Sequence, residues 1–287
     1  MTILQTSQLN DAQEKKIREL EAACAQKDGA DSRISLDNGI NVEPEMDCFF
    51  LLTEGDALTG VISVFAPTKE VAEISGCMHP EFRQQGNFRR LLASAAAEAA
   101  KHGYKNLLLV HEASMPDGGA IAQKWGLAIE HSEYRLRYTG GVEAKPGRLM
   151  VRRAREEDVP AMIAISGETF EETPEVARHH VESAFTDPQR RSYVAVADGE
   201  IVGLCGVSSG DEALYIFGLG VSPKYQGKGY GRSMVAQIVA ELLSENRGIE
   251  IEVDSENARA FHLYQTSGFD VISQYDYYAA RTKNFAG

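Results

Sequence analysis

The stretch V-S-P-K-Y-Q-G-K-G-Y-G, residues 221–231, decides how the second half of this chain folds. It places three glycines at alternate positions, Gly227, Gly229 and Gly231, between an apolar strand and an amphipathic helix. Glycine has no Cβ, so the main chain at these positions can approach a ligand closely. The N–H groups of the loop and the positive end of the following helix dipole then point at one anion. The pattern predicts a ligand that carries a diphosphate.

Two other phosphate-binding loops fit this stretch poorly. A P-loop needs Ser or Thr directly after a Gly-Lys pair, whereas Gly227-Lys228 is followed by Gly229. A Rossmann loop needs G-x-G-x-x-G after the first strand of a βαβ unit. Here the spacing is G-x-G-x-G, and three predicted strands precede it in its half of the chain. Both interpretations are therefore disfavoured.

The stretch instead resembles the acetyl-CoA loop of the GNAT acyltransferase family. That family's pattern is Gln or Arg, two residues, Gly, one residue, and then Gly or Ala, which Gln226, Gly229 and Gly231 satisfy. Residues 219–223 also resemble the family's strand end, where a bulged strand offers backbone groups to the pantetheine arm. The resemblance implies the following acetyl-CoA-binding residues: Leu219, Val221, Gln226, Gly227, Lys228, Gly229, Tyr230, Gly231, Arg232 and Asn257. Lys228 is the best side-chain contact to phosphate in this set, and the backbone carries more of the binding.

A second motif of the same family is found further along the chain. It runs Asn, two residues, Ala, three residues, Tyr and then a Gly-aromatic pair, filled by Asn257, Ala260, Tyr264, Gly268 and Phe269. Seven residues are two helical turns, so Asn257 and Tyr264 are predicted to share one helix face. By resemblance, Asn257 hydrogen-bonds the pantetheine or a bound water, and Tyr264 is the catalytic acid that protonates the departing thiolate. A phenol with a pKa near 10 is protonated at neutral pH, as a general acid must be.

The chain also carries a diverged internal duplication. Gly60 and Gly203 are 143 positions apart, and so are Pro80 and Pro223. The shift superimposes two loops, each predicted to run into a helix (88–102 and 230–246) and then a strand (106–110 and 249–253). Such alternation predicts an α/β fold. By resemblance it consists of two GNAT-like domains, each a mixed, largely antiparallel sheet flanked by helices. Breakers at 140–147 place the boundary so that the domains are 1–143 and 144–287.

The two halves differ in their chemistry. In the first half Arg83 and Gly86 occupy fixed positions of the loop pattern, but Phe88 occupies the last glycine position. A side chain there is expected to crowd a diphosphate. Ala122 stands where Tyr264 stands in the second half. The first domain is therefore predicted to be non-catalytic, and three interpretations stay open: a structural relic, a wall on the acceptor side, or a weak second CoA site.

The proton acceptor for the reaction is the least determined part of the predicted site. An amine attacks only as the neutral base, and many family members place an acid on the strand before the loop. Phe217 and Gly218 occupy those places here. The candidates are Asp211 or Glu212 through water, Asp254, or solvent alone.

The histidines and cysteines offer few other candidates for a catalytic base or a covalent nucleophile. His262 is interpreted first as an exposed helix residue and only second as the base. His179 and His180, near Glu171 and Glu172, are interpreted as solvated helix residues in preference to part of an acceptor pocket. The only cysteine in the matched segments is Cys205, within an apolar strand, which favours direct transfer over an acyl-enzyme.

Composition narrows the class of protein further. The chain has 287 residues, of which 43% are hydrophobic and 25% charged, and its net charge of −13 argues against a nucleic-acid partner. No apolar run reaches the ~20 residues of a membrane span, and no secretory signal is visible. The four cysteines are scattered, without metal-binding spacing, so we expect reduced thiols, no metal and a cytoplasmic location.

Together these patterns predict an acetyl-CoA-dependent N-acetyltransferase. The acetyl group would move to the amine of a small molecule or peptide by direct attack in a ternary complex. The alternative is a non-enzymatic CoA-binding or regulatory interaction protein. A homodimer is compatible with either interpretation.

Overall fold

The computed structural model describes residues 1–29, 34–36, 39–141, 148–210 and 213–285. The chain forms two compact units, one of residues 1–132 and 275–287 and the other of residues 133–274. Each unit is a mixed sheet flanked by helices, which confirms the predicted α/β class. Within the described ranges, no helix is long and apolar enough to cross a membrane.

The regular elements follow the predicted alternation of strands and helices. The helices are α1 (Asp11–Asp28), α2 (Asn87–Lys101), α3 (Pro116–Lys124), α4 (Val159–Phe170), α5 (Pro174–Thr186), α6 (Tyr230–Leu242) and α7 (Ala258–Gln265). The strands are β1 (Thr2–Thr6), β2 (Phe49–Glu54), β3 (Ala57–Phe65), β4 (Val71–Met78), β5 (Asn106–Glu112), β6 (Ile129–Tyr138), β7 (Leu149–Arg153), β8 (Arg190–Ala197), β9 (Glu200–Ser209), β10 (Ala213–Val221), β11 (Gly248–Asp254) and β12 (Phe269–Arg281).

The N-terminal unit contains strands in the order β1-β2-β3-β4-β5-β12. Its pairs are antiparallel except β4–β5, which is parallel. The largest core cluster packs strand side chains such as Phe50 and Ile62 against Leu91 and Leu92 of α2. A smaller cluster joins Ile17 and its neighbours on α1 to the opposite face of the sheet.

The C-terminal unit contains strands in the order β6-β11-β10-β9-β8-β7, with only the β10–β11 pair parallel. Alternate residues of its central strands point to opposite faces. Leu214 and Ile216 join the core beneath α6 and α7. Tyr215, Glu250 and Glu252 therefore lie on the other face. This separation of an apolar face from a polar face positions the candidate site.

The units do not coincide with the contiguous segments 1–143 and 144–287. Glu133 to Arg137 of β6 pair with β11 in the C-terminal unit, and Tyr275 to Arg281 of β12 pair with β5 in the N-terminal unit. The physical reason is backbone hydrogen bonding, because each pairing satisfies the N–H and C=O groups of a strand edge. Residues 142–147, where the breakers predict a boundary, lie outside the described residues.

Candidate functional site

A bulge interrupts β10 just before the glycine loop. The register of β10 against β9 shifts between Phe217 and Gly220, and Gly218 has a φ of 54°, which favours glycine. A Cβ at Gly220 would lie 3.0 Å from Thr169 Cγ2 and 3.1 Å from the Phe170 ring, so the end of α4 covers the bulge closely. The sequence resemblance implied a bulged strand at this place, and the register confirms it.

Strands β10 and β11 pair over only four residues. The parallel ladder runs from Ala213↔Gly248 to Ile216↔Ile251. Within the described residues, no pairing with β11 follows for the remainder of β10. The backbone groups of Phe217 to Gly220 on this side are consequently available to a ligand that enters between the two strands. Leu219 and Val221 pack their side chains against the core, so they offer main-chain groups only.

The glycine loop presents an open helix N-terminus. Gly227 and Gly229 have φ values of 76° and 79°, and a Cβ built at either would meet no atom within 4 Å. Gly229 is the N-cap of α6 and makes no side-chain cap, so the N–H groups of the first turn lack the usual partner. Helix dipole and free N–H groups together fit a phosphate group. The donor set thus fits the diphosphate of acetyl-CoA.

Gln226 supports the loop from beneath. Its side-chain Nε2 donates to the Val221 carbonyl at 2.9 Å, and Arg259 Nη1 donates to its Oε1 at 2.6 Å. The side chain predicted to bind acetyl-CoA therefore ties the loop to the end of β10 and to α7. Close packing explains the glycine at position 231, because a Cβ there would lie 3.2 Å from the Leu263 side chain of α7.

Basic and aromatic side chains surround the loop. The Lys228 ammonium lies 4.8 Å from the centroid of the Tyr225 ring, and the Tyr230 ring lies 6.4 Å from the same ring. Arg232 donates to the Thr266 hydroxyl at 2.7 Å. The positive charges favour an anion at this end of α6.

Tyr264 lies deep in the apolar face of the C-terminal unit. It is 5% exposed and packs in the core cluster that contains Cys205 and Phe269. Burial, reinforced by Cys205, raises the pKa of Tyr264 to about 12. The phenol is therefore fully protonated at neutral pH and can donate to an incoming group.

Asn257 lies outside the helix that carries Tyr264. It is the N-cap of α7, and its Oδ1 accepts from the Ala260 N–H at 3.0 Å. Asn257 therefore precedes the helix and does not lie within it, because capping requires a non-helical residue at this position. The exposed amide nitrogen keeps its donors for another partner.

On β10, Phe217 and Gly218 occupy the positions where many family members carry an acid, and the Phe217 ring is packed against its neighbours. Phe217 lies over Gly206, where a Cβ would be 2.1 Å from the ring, and Arg190 lies 5.3 Å from the ring centroid. Asp254 accepts the Glu256 N–H at 2.7 Å at the end of β11. His262 is exposed on α7. Asp211 and Glu212 lie outside the described residues.

Sequence reasoning missed a half-buried carboxylate on the neighbouring strand. Glu252 is the first residue of β11 beyond its ladder with β10, on the face opposite Tyr264. Tyr215 donates a hydrogen bond to it from β10. Burial raises the pKa of Glu252 to about 7, with Glu133 and Glu250 also raising it and Tyr215 and Arg135 opposing. The alternation I-E-I-E-V-D in β11 is the signal that places these acids on one face.

The arginines of β6 are directed at Glu250. Arg135 Nε donates to Glu250 Oε2 at 2.7 Å, and Arg137 Nη2 donates to Oε1 at 2.6 Å. Glu250 is fully buried, and this pair of cations balances its charge. Arg135 also opposes the raised pKa of Glu252, but burial outweighs it.

A hydrogen-bonded network links α4 and α5. His180 Nδ1 lies 2.7 Å from Glu172 Oε1, and the Ser166 hydroxyl donates to Oε2 at 2.8 Å. Burial favours a raised pKa for Glu172, but these two partners outweigh it and lower the pKa. Glu171 is exposed, whereas Glu172 and His180 are half-buried and bonded to each other.

The corresponding parts of the N-terminal unit are built differently. The Phe88 ring stacks on Trp125 with centroids 6.5 Å apart, so it fills the space between α2 and the end of α3. Trp125 in turn contacts Phe285 at 5.3 Å. Ala122, at the place of Tyr264, is buried.

The chain belongs to the acetyltransferase (GNAT) family. The sequence pattern of this family matches the chain twice, over residues 14–122 and 152–269. The prediction of a tandem-domain GNAT acetyltransferase is thereby confirmed, and the protein is an enzyme of this class. Mycothiol acetyltransferase from Cellulomonas flavigena is 25% identical over 237 residues, which cover 74% of this chain and 68% of that protein.

Two solved structures share the whole architecture. A GCN5-related N-acetyltransferase from Sphaerobacter thermophilus has a TM-score of 0.77 at 19% identity, covering 98% of this chain and 96% of the other. A tandem GNAT protein from the clavulanic acid biosynthesis pathway, determined without AcCoA, has a TM-score of 0.73 at 17% identity and covers 98% of each chain. At such low identity these likenesses establish the fold.

Proposed function

We propose that the protein transfers the acetyl group of acetyl-CoA to the amine of a small molecule, with the C-terminal unit as the catalytic one. The observation that carries the proposal is the uncapped N-terminus of α6, which follows a bulged strand and two open glycines. A diphosphate at this terminus would gain hydrogen bonds from free N–H groups and the favourable helix dipole.

The loop binds and orients the co-substrate in this proposal. Backbone N–H groups from Gly227 to Arg232 hold the diphosphate, and Lys228 adds a positive charge. Main-chain groups of Leu219 and Val221 and the amide of Asn257 hold the pantetheine arm. Acetyl-CoA supplies the activated acetyl thioester, and the gap between β10 and β11 fixes its direction.

Tyr264 acts as the general acid. Its buried hydroxyl is protonated throughout the physiological range, since its pKa is about 12. Proton transfer from it to the departing sulfur avoids the release of a free thiolate in an apolar environment. Cys205 takes no covalent role, because burial raises the pKa of its thiol to about 12.

Glu252 acts as the proton acceptor for the amine. It lies where β10 and β11 separate, on the face away from Tyr264, so the acid and the base approach the reacting atoms from opposite sides. A carboxylate with a pKa near 7 is substantially ionised at neutral pH and is basic enough to accept a proton efficiently. This assignment replaces the acid that β10 lacks at Phe217.

The acceptor is proposed to be a small molecule rather than a peptide. Relatives named mycothiol acetyltransferase support this choice. The net charge of −13 also favours cationic amines by electrostatic steering. The N-terminal unit is proposed to be non-catalytic, and the homodimer and the cytoplasmic location remain predictions.

Calorimetric titration with acetyl-CoA, followed by a screen of amines for CoA release, tests the proposal. We expect one binding site per chain and turnover only when the correct amine is present. Absence of acetyl-CoA binding would overturn it. Binding without turnover across a broad panel of amines would favour the non-enzymatic CoA-binding alternative.

A further inference from the structure

Two cysteines of the N-terminal unit lie side by side. Cys24 is on the last turns of α1, and Cys77 is the penultimate residue of β4. Both pack into the apolar cluster between α1 and the sheet. Cys24 Sγ lies 3.3 Å from the carbonyl oxygen of Met78, the residue after Cys77, which places the two cysteines next to each other in this cluster.

An arginine lies against this pair. Arg83 Nε donates to the same Met78 carbonyl at 3.0 Å, so the guanidinium and the Cys24 thiol converge on one oxygen. Asp28 holds the guanidinium in place through two hydrogen bonds of 2.7 Å. A fixed cation next to a thiol favours the thiolate, which is the nucleophilic form of cysteine.

The two thiols are electrostatically unequal. The hydrogen bond from Cys77 is the main cause that lowers the pKa of Cys24 to about 7; burial opposes it and Arg83 assists. The shared hydrogen bond and burial, with Glu21 adding to them, raise the pKa of Cys77 well above its ordinary value. Cys24 is thus the nucleophile, and Cys77 is the neighbouring thiol that can resolve the oxidised form of Cys24.

We propose that Cys24 and Cys77 form a redox-active dithiol that peroxide converts to a disulfide. The Cys24 thiolate attacks hydrogen peroxide, forming an S–O bond as the O–O bond breaks, and the released hydroxide takes up a proton to become water. Cys77 then loses its proton and attacks the Cys24 sulfur, expelling the second oxygen as water. The dithiol loses two electrons, and one peroxide becomes two waters.

The other two cysteines provide internal controls. Cys48 and Cys205 are buried in separate core clusters. Burial raises the pKa of Cys205 to about 12, which leaves it an unreactive thiol. Cys77 is the only partly exposed cysteine of the four, so a small oxidant can reach the pair from its side.

Peptide mapping of the full chain tests the proposal. Reduced protein is treated with hydrogen peroxide at neutral pH, blocked with N-ethylmaleimide and digested without reduction. We expect a linked pair of peptides that contain Cys24 and Cys77, two hydrogens lighter than the sum of the reduced peptides. Cys48 and Cys205 should stay reduced until the protein is denatured. Peroxide treatment that leaves Cys24 and Cys77 as free thiols, or links them no more than the control cysteines, would overturn the proposal.

Variants assign the order of the two steps. In Cys77→Ser we expect Cys24 to stop at the sulfenic acid, which dimedone traps, and in Cys24→Ser we expect neither cross-link nor trapping at Cys77. Arg83→Gln should slow oxidation at neutral pH by about fivefold for a rise of one unit in the pKa of Cys24, because the thiolate fraction falls from about a half to about a tenth. Cys205→Ser should behave as wild type. Dimedone trapping of Cys77 ahead of Cys24 would contradict the assignment, and circular dichroism confirms that each variant is folded.

Discussion

The loops that follow β4 and β10 share a main-chain conformation. Gln84 and Gly86 have φ values of 60° and 80°, and Gly227 and Gly229, 143 positions on, have 76° and 79°. Each loop is also tied to its strand in the same way, since Arg83 Nε donates to Met78 at 3.0 Å and Gln226 Nε2 donates to Val221 at 2.9 Å. The N-terminal loop keeps this conformation even though Gln84 must adopt a left-handed backbone.

The two loops differ in charge and in the strand before them. Asp28 and Asp117 both bond to Arg83, at 2.7 and 3.4 Å, so its guanidinium is paired with carboxylates of the protein itself. The C-terminal loop has Arg259 on Gln226 instead. Strand β4 pairs with β3 in continuous register, whereas β10 is bulged. The comparison shows that the two loops have kept the same main-chain conformation while their ion pairs have diverged. The reason is that turn sterics constrain the main chain but not the charges around it.

A tryptophan in each loop gives the strongest test of this comparison. Gly229→Trp should weaken acetyl-CoA binding by about 100-fold or more, since it obstructs charge-assisted hydrogen bonds worth about 1.5–3 kcal/mol each. Gly86→Trp is the matched control, because both glycines have a φ near 80° and open space at the Cβ. Calorimetric titration measures both. Equal losses of binding would show that the loops have not diverged in function.

Tyr264→Phe tests the acid that only the C-terminal unit carries. The acetyl-transfer rate should fall by about 100-fold, the lower end of the range for acid–base catalysis, with acetyl-CoA affinity unchanged. The control is Tyr278→Phe, which removes the hydroxyl of a tyrosine of the N-terminal unit that is 9% exposed. A rate equal to wild type in Tyr264→Phe would exclude the phenol as the acid.

Glu252→Gln tests the base, for which the N-terminal unit has Val110 at the corresponding position, the first residue of β5 beyond its ladder with β4. A general base works deprotonated, so kcat/KM of the wild type should fall as pH drops below about 7. The variant should lose this acidic limb and about 100-fold of the rate at neutral pH.

Tyr215→Phe is the conservative companion of that variant. Its hydroxyl lowers the pKa of Glu252, so its removal should move the acidic limb to higher pH while turnover on the alkaline plateau is kept. An acidic limb that persists unchanged in Glu252→Gln would assign the titration to another group.

Asp28→Asn addresses the ion pair that closes the N-terminal loop. The Arg83 hydrogen bond lowers the pKa of Asp28 below its ordinary value of 3.8. The ion pair therefore stabilises the fold above that pH and loses its effect as pH falls through the folded-state pKa. We expect a loss of about 2 kcal/mol in the free energy of unfolding at neutral pH, and a smaller loss in acid. Urea denaturation at both pH values measures this.

Arg259→Ala is the corresponding change in the C-terminal loop. Its bond to Gln226 is exposed, so the loss should stay below about 0.5 kcal/mol. A larger loss than in Asp28→Asn would reverse the proposed difference between the loops.

The repeating elements were predictable from local sequence. The helices predicted at 88–102 and 230–246 are α2 (Asn87–Lys101) and α6 (Tyr230–Leu242), and the predicted strands 106–110 and 249–253 lie within β5 and β11. Apolar periodicity and the glycines that begin both helices carry this information, since they act within a few residues. The strand exchange involving β6 and β12 could not be predicted in this way, because backbone hydrogen bonds carry no side-chain signature.

The candidate site also has a part that local sequence predicts and a part that depends on tertiary contacts. The anion-binding loop and Tyr264 were recognisable from residue spacing, because a left-handed turn and a helix face are local properties. The capping role of Asn257, the burial of Glu172 and the elevated pKa of Glu252 depend on neighbours that are distant in sequence. Sequence by itself determined the loop, the duplication and the family. Only tertiary structure decided which acid loses its hydration and which arginine is paired with an aspartate, because desolvation and pairing arise when separate strands and helices pack together.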